Sequence, residues 1–145
     1  MTIVVDSNIV VALLLPLPYS PQAISLMDYW RHSGERLIAP ALFEYEITSL
    51  IRRSVYHNQL ERAQMVSVLG RLLSTGLVTL PPTRLNHEDA LALAERIGQS
   101  KAYDAQYLAL ASRENAPFWT ADRRLANAAQ ATGLGWVHWV GDWNP

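Results

Sequence analysis

The chain opens Met1-Thr2-Ile3-Val4-Val5-Asp6-Ser7-Asn8 (MTIVVDSN). Thr2–Val5 favours a strand, and so unbroken an apolar run suits one buried on both faces of a parallel sheet. It runs straight into a carboxylate, Asp6. Burial alone would put Leu or Ala there. Asp6 could cap the helix that follows, but Ser7 is available for that task. The acid at the strand end therefore asks for another explanation.

Outward from this strand, short β-rich runs alternate with helical stretches. A short helix is expected over Asn8–Leu15, ended by Pro16 and Pro18. Ser20-Pro21 starts a second, with Ala23, Ile24, Met27 and Trp30 on one face. Strands are expected at 37–39, 77–80, 117–120 and 136–140. Helices are expected from Pro40 through Tyr56, from about Leu60 to Ser74, from a cap at Asn86 to Gly98, over Tyr103–Glu114, and from about Arg123 to Thr132. Such alternation predicts an α/β fold, a three-layer α/β/α sandwich around a mainly parallel sheet with right-handed crossovers. Ligands in such folds sit beyond the carboxyl ends of the strands. Asp6 ends the first strand, and Asp122 falls just after the strand carrying Thr120.

The bulk numbers limit the possibilities. The 145 residues suit one domain, expected over 1–145. With 12 basic and 13 acidic residues and a net charge of −1, no global field draws in nucleic acid or an anionic membrane. Contact with nucleic acid must come from a local patch. The absence of cysteine excludes disulfides, thiolate chemistry and a Cys-based zinc site, and fits a reducing cytosol. No signal peptide is expected, and the longest apolar run, Ile9–Leu15, is far too short to span a membrane.

Four acids stand out. Asp6 and Asp122 (in WTADRRL) each have a plain reading as helix caps. Asp104 (in KAYDAQYLALA) suits the positive end of a helix, yet it shares a face with Leu108 and Ala111, which directs it along the core. Glu46 (in LFEYEITSL) borders the apolar stripe between Leu42 and Leu50, while Glu44 lies about 200° round the helix. An ion pair with Arg53 is the plain reading of Glu46. Together, two such carboxylates at contact repel by about 4 kcal/mol at an effective dielectric near 20. A cluster of them needs protonation or a divalent cation. All-oxygen ligands favour Mg²⁺ or Mn²⁺ over zinc. The histidines at 32, 57, 87 and 138 read as structural or exposed.

At this point the motifs have a precedent. The order IVVDSN, PALFEYEITSLIRR, KAYDAQYLALA and FWTADRRLA resembles the PIN-domain family, and within it the bacterial VapC-type toxins of type II toxin–antitoxin pairs. The resemblance covers nearly the whole chain. It departs at Thr48, where the family often has a small or amide residue. It implies an acidic site holding Mg²⁺ or Mn²⁺, endoribonuclease activity, silencing by a cognate antitoxin and a homodimer. The family's acids fall on Asp6, Glu46, Asp104 and Asp122, and its frequent hydroxyl positions on Ser7 and Thr120.

Arg52, Arg53, Lys101, Arg123 and Arg124 lie near these acids in sequence and are the candidates for RNA contact; their plain reading is solvated surface charge. Trp136, Trp139 and Trp143 are expected in core or dimer packing before base stacking, and Tyr19, Tyr29 and Trp30 could serve a protein interface. The rivals are a nuclease of RNA or DNA processing and an inactive binding module of the same fold. A receiver-like domain lacks its acidic pair here, and a haloacid-dehalogenase-type phosphatase lacks its second Asp, since position 8 is Asn.

Overall fold

The computed structural model describes residues 1–144. Five parallel strands form one sheet in the order β3-β2-β1-β4-β5. They are β1 (Thr2–Val5), β2 (Arg36–Pro40), β3 (Val78–Leu80), β4 (Phe118–Thr120) and β5 (Val137–Trp139). Ile3, Val4 and Val5 are essentially inaccessible, as the centre of a doubly covered parallel sheet requires. Seven α-helices supply the cover: α1 (Ser7–Val11), α2 (Ser20–His32), α3 (Leu42–Tyr56), α4 (Met65–Leu73), α5 (Arg84–Arg96), α6 (Tyr103–Glu114) and α7 (Arg123–Ala131). This is the expected three-layer α/β/α arrangement. α6 packs on β1, β2 and β4 and carries α5 outside it, while α1 meets α3 and β4.

Strand order decides where a ligand can sit. From β1 the chain winds outward to β2 and β3, then returns to add β4 and β5 on the other side. The two windings part between β1 and β4, opening a crevice at their carboxyl ends. Asp6 and Thr120 flank that crevice.

Several local expectations need correction. α1 ends at Val11, well before Leu15, and its N-cap position is Asp6 rather than Ser7. Ile24 faces outward while Leu26 takes its place in the buried stripe of α2. The stretch after Leu60 forms a 3₁₀ turn at Arg62–Gln64 before α4 begins. α5 is capped by Thr83; Asn86 is its third residue, and its Oδ1 accepts from the Thr83 amide, closing a capping box. Trp30 is buried against Trp119, which excludes it from a surface role.

Candidate functional site

Register builds the first half of the site. Val5 pairs with Trp119, and the Asp6 amide donates to the Trp119 carbonyl at 3.0 Å. The next residues, Asp6 and Thr120, therefore lie side by side. The Thr120 hydroxyl donates to Asp6 Oδ2 at 2.7 Å. Asn8 Nδ2 donates to the same oxygen at 3.0 Å, and Asn8 Oδ1 accepts the Ala121 amide at 2.9 Å. Asn8 thus fastens the two strand ends together. Thr120 is wholly buried and Asp6 is 7% exposed.

Helix packing builds the second half. The Ser7 hydroxyl does not cap α1; it donates across to Glu46 Oε2 on α3 at 2.6 Å. The chain turns out of the strand at Asp6, and the buried hydroxyl finds a carboxylate, a stronger acceptor than a neutral group. Tyr107 donates to the same oxygen at 2.7 Å. Its ring lies in the core, stacked on Phe118 of β4 with centroids 5.6 Å apart. Asp104, one turn earlier on α6, accepts from Gln99 Nε2 at 2.9 Å through Oδ2.

Asp6 and Glu46 both feel the charge of Asp104. Burial pushes the Asp6 carboxyl up to about 7. The Thr120 hydrogen bond opposes that rise, Glu46 and Asp104 add to it, and Asn8 opposes it. Glu46 is raised by burial, lowered by the hydroxyls of Ser7 and Tyr107, and raised again by Asp104. Tyr107 is raised first by burial, then by Asp6 and Glu46, so its phenol stays protonated and donates. Tyr19 is raised by burial, Asp6 and Asp122, which places it beside the same group.

The structure thus brings Asp6, Glu46 and Asp104 into one electrostatic neighbourhood. None of them forms an ion pair with a basic residue among the described residues; the expected Glu46–Arg53 pair is absent. Each has one oxygen firmly anchored, while among the described residues Glu46 Oε1 and Asp104 Oδ1 meet no donor and Asp6 Oδ1 has only Ser7 at 3.3 Å. Buried or half-buried, unneutralised carboxylates with an oxygen to spare suit a hard divalent cation. Among the described residues no three acidic or histidine side chains already form a cage for one.

Asp122 stands one step outside. Its Oδ1 accepts the amides of Arg124 and Leu125 at 2.9 and 3.1 Å, the plain cap of α7. Its own amide donates to Thr120 Oγ1 at 2.9 Å, linking it to Asp6 through one hydroxyl. The basic residues divide. Arg52 lies over Tyr56 and Arg123 over Trp139. Arg53 borders a cavity next to Tyr19, and Lys101 and Arg124 are exposed. The tryptophans pack internally: Trp143 donates to Ser25 and lies against Tyr29, and Trp139 donates to the Ala121 carbonyl.

Sequence reasoning passed over Asn8, Gln99 and Tyr107. Tyr107 had a signal: a hydroxyl inside an Ala/Leu stripe, one turn from Asp104, needs a buried acceptor. Asn8 had the weaker signal of lying two residues past Asp6. Gln99 had none, since only the path of the loop between α5 and α6 turns its amide onto Asp104.

The PIN domain matches residues 3–131 of this chain. A VapC ribonuclease of Mycobacterium bovis is 34% identical over 133 residues, covering 89% of this chain and 92% of that protein. VapBC2 from Rickettsia felis, solved with a DNA fragment from its promoter, superposes with a TM-score of 0.68 at 15% identity, covering 95% of this chain and 98% of that one. A toxin–antitoxin complex from Klebsiella pneumoniae superposes with a TM-score of 0.62 at 19% identity, covering 94% and 96%. At those identities the structures speak for the fold alone, while the sequence match reaches nearly end to end. The chain belongs to the PIN-domain family, in its VapC-type branch.

Proposed function

We propose that this protein is a Mg²⁺- or Mn²⁺-dependent endoribonuclease and the toxin of a type II toxin–antitoxin pair. The observation that carries the reading is the trio Asp6, Glu46 and Asp104: buried or half-buried, close enough that Asp104 raises both Asp6 and Glu46, and without a basic partner among the described residues. The ribonuclease name of the M. bovis relative supports RNA as substrate. The toxin–antitoxin neighbours support a cognate antitoxin as partner. Homodimerisation and action in the cytosol belong to the same proposal.

Asp6 and Asp104 would hold the ion, with Glu46 and Asp122 as outer acids. When bound, the ion supplies positive charge against the charge that builds on a phosphodiester under attack. Thr120 and Asn8 orient Asp6. Ser7 and Tyr107 fix Glu46 by Oε2, leaving Oε1 to take a proton from the attacking water. At the start of α7, Arg123 and Arg124 offer positive charge to a phosphate.

The test is cleavage. Purified without any partner and incubated with total cellular RNA and Mn²⁺ or Mg²⁺, the protein should cut. Cutting should stop with a chelator and in Asp6→Asn or Asp104→Asn. Wild-type activity in both variants would overturn the proposal. Growth arrest on expression, relieved by the same substitutions, is the expected sign of the toxin role.

A further inference from the structure

A cavity of about 460 Å³ opens beside the acidic site. Its walls come from α1, the α1–α2 loop and α3, including Leu17, Tyr19, Leu50, Arg53 and His57. Two observations join it to the acids. Tyr19 lines the cavity, feels the charges of Asp6 and Asp122, and has its hydroxyl 3.4 Å from the Asn8 carbonyl. Leu50 and Arg53 lie four and seven residues beyond Glu46 on α3, and His57 caps its end, so one helix face runs from the acid into the cavity. Arg53 is exposed and makes no ion pair among the described residues.

From this geometry we infer that the cavity is a nucleotide subsite, holding the residue of RNA adjacent to the bond that is cut. The inference rests on the nuclease reading and adds to it where the strand runs. Tyr19, with Leu17 and Leu50, offers an aromatic and apolar surface to a base. Arg53, about 10 Å along the axis of α3 from Glu46, offers its guanidinium to a phosphate. The acids repel the RNA backbone, so a cation displaced from them along the strand is what a polyanionic ligand needs in order to approach. A protein segment is the alternative occupant. An arginine with no ion pair among the described residues, lining the same cavity as an aromatic ring, favours the nucleotide.

The four nucleoside 5′-monophosphates, which carry no bond to be cut, are titrated by calorimetry into wild-type protein in chelator, with inorganic phosphate as the control. At least one nucleotide should bind more tightly than phosphate. Arg53→Ala and Tyr19→Leu should each weaken it about tenfold or more, and Tyr19→Phe, which keeps the ring, should retain it. With RNA as substrate, Arg53→Ala should raise KM more than it lowers kcat. Thermal melts confirm that each variant folds; Arg53→Ala, at an exposed position, keeps the test decisive if Tyr19→Leu does not. Binding no better than phosphate, or indifferent to both Arg53→Ala and Tyr19→Leu, would overturn the inference. So would a co-structure seating a protein segment in the cavity with no nucleotide binding. Nucleotide binding in a protein that cuts no RNA would instead sink the nuclease reading and leave the subsite standing.

Discussion

Asp6 is held where burial and two neighbouring acids resist its ionisation, and this has a consequence for stability. Its folded-state value near 7 lies above the ordinary 3.8, so between those values the folded chain binds more protons than the unfolded one. Stability from this group is present at low pH and is lost as pH rises through about 7, a difference of roughly 4 kcal/mol. Asp6→Asn, which keeps the shape without the charge, should therefore raise the melting temperature in chelator at pH 8 by several degrees and lose that advantage towards pH 4. It should also abolish cleavage. A thermal-melt series over pH checks this; a variant less stable than wild type at pH 8 would contradict it. Tyr107 acts on Glu46 instead. Tyr107→Phe removes one donor at 2.7 Å and should cost about 1 kcal/mol in a denaturant titration. In steady-state assays kcat should fall about tenfold with KM little changed, since the ring still packs on Phe118.

At the scale of elements, two strand ends and two helix faces bring the acids together, and this is where sequence reasoning divides. β1, β4 and α6 were legible because apolar runs and the Ala/Leu stripe of α6 match the structure closely. Tertiary partners decided the hydroxyls and caps. Ser7 suits a helix cap by type, yet a buried carboxylate on α3 claims its hydroxyl. Thr83 and Asn86 are both good caps, and only the backbone turn at Thr83 selects between them. Asp122 shows the same contest, since one carboxylate serves α7 directly and the site at one remove. Asp122→Ala should cost about 1 kcal/mol through the lost cap, whereas Asp122→Asn should keep stability because Asn caps as well. The Asn variant should lose less cleavage activity than Asp6→Asn. Melts and cleavage assays on the pair separate the two duties.

At the scale of the whole molecule, the parallel sheet turns an order of residues into a place. Returning the chain to add β4 beside β1 sets Asp6 against Thr120, with α3 and α6 bringing Glu46 and Asp104 over the same crevice. The alternation of elements made the sheet legible from the sequence. Spacing alone left the convergence of the acids open, because residues 6, 46 and 104 are neighbours only once both crossovers are made. Exposed aromatic residues such as Tyr45 and Tyr56 on α3 were equally out of reach of periodicity. Adding Mn²⁺ should raise the melting temperature of the wild-type protein, since an ion that binds only the folded state stabilises it. Asp104→Asn should blunt that rise, as read by the same melts with and without chelator.

The most direct measurement is Mn²⁺ binding to the purified protein by calorimetry at neutral pH, comparing wild type with Asp6→Asn and Asp104→Asn. Saturable binding to wild type, weakened at least tenfold by either substitution, is the predicted result. No binding to the wild-type protein, or equal binding by all three, would contradict the account.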